Sequence, residues 1–153
     1  MPAAEASLSL ICRAGTLLCA LRAPSVVETM RPLPIEVLPG SPDFVAGSAI
    51  IRGQPLPVIE LSRLLGAEIG VAGRLVVIRA ASRLAALAVT DILGFRSLTS
   101  AMVATLPPLL SGAARSAVAQ LGTLDRELMA VLDTASLIPD AVFSAIDRNM
   151  VPA

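Results

Sequence analysis

From Ser7 to Arg13 polar and apolar residues alternate at first, and Leu8, Leu10 and Cys12 share one face. That period of two predicts a half-buried strand. Ala14 and Gly15 supply a turn, and residues 16–22 return as a second strand. The pattern then changes. Pro24 suits the first turn of a helix, and Val26, Val27 and Met30 fall at helical spacing. A short helix or a single helical turn is predicted here, stopped by the prolines of "RPLP". Residues 35–38 read as a brief strand, 39–42 as a turn and 44–52 as a long buried strand. Gly53 permits the positive φ of a tight turn, after which "LPVIEL" runs back. Pro55 and Pro57 cannot both donate to a central ladder, so this strand is expected to lie at an edge or to begin late. Residues 62–66 form a short helical cap.

The second half repeats the style. Residues 74–79 and 82–93 are predicted strands, with Gly94 as a kink or bulge within the continuing run. Residues 106–116 read as a linker. Residues 117–124 and 128–133 flank the polar "DRE" and make a last hairpin. A helical turn over 133–138 takes Asp133 or Thr134 as its cap. From Asp140 to Met150 an amphipathic helix places Val142, Phe143 and Ile146 on one side. Roughly ten short strands at intervals of about 8–12 residues argue for small barrels rather than a parallel α/β sheet. The expected fold is mostly β: two five-stranded lobes with short helices. Neither lobe is large enough to bury its apolar residues alone, so they are expected to share a hydrophobic core. The whole chain, 1–153, reads as one domain with its body over 7–138 and a helical tail over 140–150.

Composition narrows the function. Hydrophobic residues make up 55% of the 153 positions. Arg13 and Arg22, then Asp91 and Arg96, nevertheless interrupt the apolar stretches before they reach the ~18 residues of a membrane span. Glu5 and Arg13 break the start where a signal peptide needs its apolar core. A cytoplasmic protein without membrane insertion is expected. The 12 basic residues, all arginine, balance 12 acidic ones, and the three aromatics are all Phe. With no basic stripe and no stacking rings, nucleic acid is not an expected partner. There is no His, Lys, Tyr or Trp for acid–base chemistry. The two cysteines, Cys12 and Cys19, cannot make a zinc site alone and read as small core residues. No phosphate-cradling glycine loop occurs. Neither catalytic residues nor a metal site nor a cofactor is expected, and an enzyme is disfavoured by subtraction.

The stretch "PDFVAGSAIIRGQPLPVIEL", residues 42–61, resembles the most characteristic segment of the CheW-like family of chemotaxis coupling proteins. The likeness rests on Pro42, Phe44, Gly47, Arg52, Gly53, Pro57, Val58 and Leu61, with Glu60 where aspartate is common. "SVVETM" is similar to the family's Val-x-Glu segment through Val26 and Glu28. "LAVTDILGF" resembles another segment through Val89, Ile92 and Gly94, with Thr90 where aspartate is usual. Residues 121–138 resemble the closing hairpin and helix. The resemblance spans roughly residues 7–138. It implies paired SH3-like barrels and a non-catalytic adaptor between the cytoplasmic tips of chemoreceptors and the regulatory domain of a CheA-type histidine kinase. A groove between the lobes, near the Val-x-Glu segment and the Arg-Gly turn, is the implied receptor site.

On that basis the candidate binding residues are Val26, Val27, Glu28, Arg52, Gly53 and Leu56, with Ile50 as a further apolar wall. Arg52 offers its forked guanidinium to a partner carboxylate or carbonyl, or pairs internally with Glu28; the two roles are compatible. Gly53 is first a turn residue, and Gly47 allows close backbone packing. Two other readings stay open: an adaptor in a chemosensory system without a motility output, and a small-ligand-binding domain.

Overall fold

A computed structural model describes residues 7–99, 103–105 and 118–149. The predicted linker over 106–116 lies outside these. Among the described residues eleven strands form two sheets. In chain order they are β1 (Ser7–Ala14), β2 (Leu17–Arg22), β3 (Val26–Met30), β4 (Val45–Ile51), β5 (Gln54–Glu60), β6 (Arg74–Ala80), β7 (Arg83–Val89), β8 (Asp91–Leu98), β9 (Val103–Thr105), β10 (Val118–Leu124) and β11 (Glu127–Leu132). Two α-helices are α1 (Leu61–Leu64) and α2 (Asp140–Asn149). The first lobe is the six-stranded sheet β8-β1-β2-β11-β10-β9, and the second is the five-stranded sheet β3-β6-β7-β5-β4. The sixth strand of the first lobe is the three-residue β9.

The two lobes share one plan. In the second, the hairpins β6–β7 and β4–β5 meet along a parallel contact between β7 and β5, with β3 outside β6. In the first, hairpins β1–β2 and β10–β11 meet along parallel β2 and β11, with β8 outside β1. The chain thus begins in the first lobe, crosses to the second and returns. Each sheet also curls. Arg52, on the β4–β5 turn at one end of the sheet order, bonds to Glu28 of β3 at the other end. Asp125, on the β10–β11 turn, likewise bonds to Arg96 of the outer strand β8. A flat sheet could not bring these ends together, so both lobes are barrel-like, as SH3-like subdomains are.

The expected shared core is present. Leu10, Cys12, Cys19 and Leu21 of the first lobe pack in one cluster with Ile59, Val76, Ile78 and Leu87 of the second. Val142, Phe143 and Ile146 of α2 join it, which is the face predicted from their spacing. Each lobe keeps a smaller cluster of its own, around Ile11, Leu18 and Met129 in the first and Leu56, Val58 and Leu75 in the second. Cys12 and Cys19 face each other across β1 and β2, buried and free. A hydrogen bond between them, then burial, pushes the Cys19 thiol well up, so it stays protonated.

Five local expectations need correction. The strand β1 is not half-buried: Leu8 is exposed, while Ser9 and Ile11 are buried along with Leu10 and Cys12. It lies inside its sheet, with Leu10 and Cys12 in the shared core and Ile11 in the first lobe's own cluster, so both faces are covered. The helix predicted over 24–30 is a 3-10 turn, Ala23–Ser25, followed by the strand β3. Val26, Val27 and Thr29 are β-branched, and pairing with β6 outweighs the helical spacing. The strand β5 is interior, between β7 and β4, but its ladder with β7 starts only at Val58. The strand is thus neither at an edge nor late to begin, since it pairs with β4 from Gln54 on; only the second ladder is delayed. Ile51 and Gln54 flank a two-residue turn, so the ladder's alternation aims the ring nitrogens of Pro55 and Pro57 away from β4, where β7 does not yet pair. Residues 82–93 are not one strand: β7 ends at Val89, Thr90 stands alone, and β8 enters the other sheet. Gly94, with φ +107°, sits at a bulge against β1 as expected. Residues 35–38 contribute a single bridge, Glu36 to Ser48, which covers part of the β4 edge. Among the described residues no helix is long and apolar enough to cross a membrane.

Candidate functional site

The β4–β5 hairpin carries the site. Along β4 the burial alternates, with Val45, Gly47, Ala49 and Ile51 inward and Ile50 outward. Gly47 meets the Glu36 backbone so closely that an added Cβ would lie 2.1 Å from its carbonyl oxygen. The turn itself is Arg52–Gly53, with φ +50° and +78°. Two consecutive positive φ values mark the type I′ turn that matches strand twist in two-residue hairpins. Gly53 holds this conformation at no steric cost, whereas Arg52 is an uncommon choice for it.

The turn throws the Arg52 guanidinium over β3. Its Nε donates to Glu28 Oε2 at 2.5 Å and an NH2 donates to Oε1 at 3.2 Å. The Arg52 side chain is 78% exposed and that of Glu28 24%. The hydrogen-bonded guanidinium holds the Glu28 carboxyl below its ordinary value, against a smaller opposing effect of burial. The pair is a clasp at the mouth of the second barrel. The first barrel has its counterpart with charges exchanged: Asp125 on the hairpin tip and Arg96 on the outer strand, 3.2 Å apart. Glu127 beside that tip takes both terminal nitrogens of Arg13.

Beside the Arg-Gly turn opens a groove of about 640 Å³. Val37, Pro39, Ile50, Gly53, Pro55 and Ile146 line it. Val37 is 74% and Ile50 66% exposed, so two large aliphatic side chains stand in solvent on its walls. A second groove of about 410 Å³ lies across Ile146 and Pro55, lined by Pro57, Arg79, Leu84 and Asp147. Helix α2 separates the two. Arg83 pins it by two hydrogen bonds to Asp147, at 2.9 and 3.2 Å, and by its guanidinium 5.0 Å from the Phe143 ring centre.

The structure thus brings Glu28, Arg52 and Gly53 together and sets Ile50 beside them. Val27 is exposed on β3, while Val26 packs against the shared core. Leu56 belongs to the core of the second lobe and reaches only the smaller groove. Among the described residues the shared core packs between the two sheets, and the groove beside the Arg-Gly turn runs between the second lobe and α2. Val37 and Ile146 escaped sequence reasoning. The first sits in a proline-flanked segment with one bridge of regular structure, and the second reads as core from its helical face. Among the described residues no three His, Cys, Asp or Glu side chains are grouped to hold a metal.

The CheW-like domain pattern matches residues 9–142 of this chain. The chain belongs to the CheW-like family. It is similar to Protein FrzA of Myxococcus xanthus, with 32% identity over 143 residues, covering 89% of this chain and 88% of that protein. In three dimensions it is similar to the scaffolding protein TtCheW from Thermoanaerobacter tengcongensis, with a TM-score of 0.73 at 18% identity over 84% of this chain and 90% of that one. At that identity the likeness speaks for the fold, and it agrees with the two-lobe SH3-like architecture built above. As a CheW-like chain, it is a chemotaxis-type coupling adaptor or scaffold.

Proposed function

We propose that this chain is a non-catalytic cytoplasmic adaptor that couples chemoreceptor tips to the regulatory domain of a CheA-type histidine kinase. The observation that carries this reading is the Arg52–Glu28 clasp at the Arg-Gly turn, whose Gly53 also lines an open groove with the exposed Val37 and Ile50, in a CheW-like chain. A partner helix can lay an apolar stripe along the exposed Val37 and Ile50. A carboxylate on that helix can compete with Glu28 for the fork of Arg52, which sets register at little desolvation cost because the guanidinium is already in water.

The test is a pull-down with the receptor tip and kinase regulatory domain encoded beside the gene. Two substitutions separate charge from turn. Arg52→Asn keeps a turn residue that tolerates positive φ and removes the guanidinium; Arg52→Glu reverses the charge. Both should weaken capture of one partner by about tenfold or more, with the fold intact by circular dichroism. Wild-type capture of both partners by both variants contradicts the role of Arg52. No capture by the unaltered chain contradicts the adaptor reading.

A further inference from the structure

We infer that Thr90 is the residue that sets the angle between the two barrels, through the hold of its hydroxyl on the backbone amide of Gly15. The chain leaves the second lobe at Val89 and enters the first at Asp91, with Thr90 alone between them. Three hydrogen bonds converge on this crossing. The Gly15 N–H donates to Thr90 Oγ1 at 2.8 Å. The Thr90 N–H donates to the Arg13 carbonyl at 2.8 Å, and the Gly73 N–H to the Val89 carbonyl at 2.9 Å. Two of them tie the crossing to the β1–β2 hairpin of the first lobe, and the third ties it to the loop before β6 in the second.

The loop before β6 approaches the β1–β2 turn backbone to backbone here, with the Thr90 side chain between them. A Cβ on Gly70 would lie 2.6 Å from Thr90 Oγ1 and 3.1 Å from Gly15 Cα. One on Gly73 would lie 2.5 Å from the Thr90 carbonyl oxygen, and one on Gly15 only 1.7 Å from the carbonyl oxygen of Glu68. Three glycines from two segments therefore close around one threonine. The physical consequence follows from the kind of force involved. The shared core holds the lobes by burial, which is strong but non-directional. The Thr90 junction supplies directional bonds, which fix one mutual orientation among those the core tolerates. Helix α2 follows β11 of the first lobe and packs on β5 of the second. The angle set at Thr90 thus bears on the spacing between Ile146 and Ile50.

The test compares backbone residual dipolar couplings in the full chain for the wild type, Thr90→Ser, Thr90→Val and Thr90→Ala. In the valine and alanine variants each lobe should keep its internal couplings, while the relative orientation of the two lobes departs from the wild type. The Gly15 amide should also exchange about tenfold faster or more, since one hydrogen bond of ordinary strength is lost. Serine, which keeps the hydroxyl, should restore both readings. Alanine adds no methyl against the Gly15 amide and gives the reading if valine does not fold. An unchanged interlobe orientation in the alanine variant, or a serine variant that behaves like alanine, overturns the assignment. A merely structural role would lower stability without turning one lobe against the other.

Discussion

Replacing Leu87 by alanine empties the middle of the shared core. Leu87 is fully buried, lies between Ile59 of β5 and Val76 of β6, and shares its cluster with Cys12, Cys19 and Leu21 of the other lobe. A buried Leu→Ala change costs about 2–5 kcal/mol, from lost transfer free energy and the cavity left behind. Leu87 sits in strand ladders on both sides, which limits collapse, so about 3–4 kcal/mol is expected. For a chain of this length each kcal/mol lowers Tm by about 2–4 °C, giving a fall of about 6–16 °C. The decisive feature is that both lobes must go together. With no Trp or Tyr the chain is nearly silent in fluorescence, but two methionine methyls serve as local probes. Met129 is buried in the first lobe's own cluster, and Met30 packs against that of the second. On heating Leu87→Ala, the native signals of both should vanish in one transition that coincides with the calorimetric peak. Survival of native Met129 after Met30 has lost its native signal would refute the shared core as the source of cooperativity.

Further outcomes follow from particular contacts. Gly15→Ala puts a Cβ into the Glu68 carbonyl at φ +63° and should cost at least about 2 kcal/mol, read as a lower urea midpoint. Glu28 and Glu127 are held below their ordinary carboxyl values by hydrogen bonds from Arg52 and Arg13. A lowered folded-state value contributes stability that is present above the unfolded value near 4.5 and lost as pH falls through the lowered one. Thermal stability should therefore drop on acidification below that point, and the double variant Arg13→Gln, Arg52→Asn should flatten the drop; an unchanged slope would mean the pairs do not form in solution. Phe143→Ala removes a buried ring of α2 and should cost about 3–5 kcal/mol. It should also free α2 from β5, seen as faster amide exchange across residues 140–148.

In the first lobe β1, β2, β10 and β11 were legible, because β1 opens with alternation, Gly15 marks the turn to β2 and the polar Asp125–Arg126 turn punctuates β10 and β11; the three-residue β9 was not, being too short to show a period. The Arg-Gly turn was legible because glycine marks a positive φ between two apolar runs. β3 was not, because Pro24 and the spacing of Val26, Val27 and Met30 mimic a helix, and only the partner strand β6 decides between the two. The break at Thr90 was hidden as well. An apolar run looks the same whether it stays in one sheet or changes sheets, and the signal lies in glycines distant along the chain. Of the candidate site, Glu28 and Arg52 were legible as an opposed pair. Of the groove walls Ile50 was legible, but Val37 and Ile146 were not: they come to line one groove only through the placing of α2 over β5.

The most direct test of the adaptor account is amide chemical-shift mapping of the labelled chain titrated with the receptor tip encoded beside it. Shifts should concentrate at residues 26–28, 36–39, 48–54 and around Ile146, saturate with a defined stoichiometry and shrink in Arg52→Glu. Saturable shifts confined to β8, β10 and β11, with the Arg52 groove untouched, would contradict it.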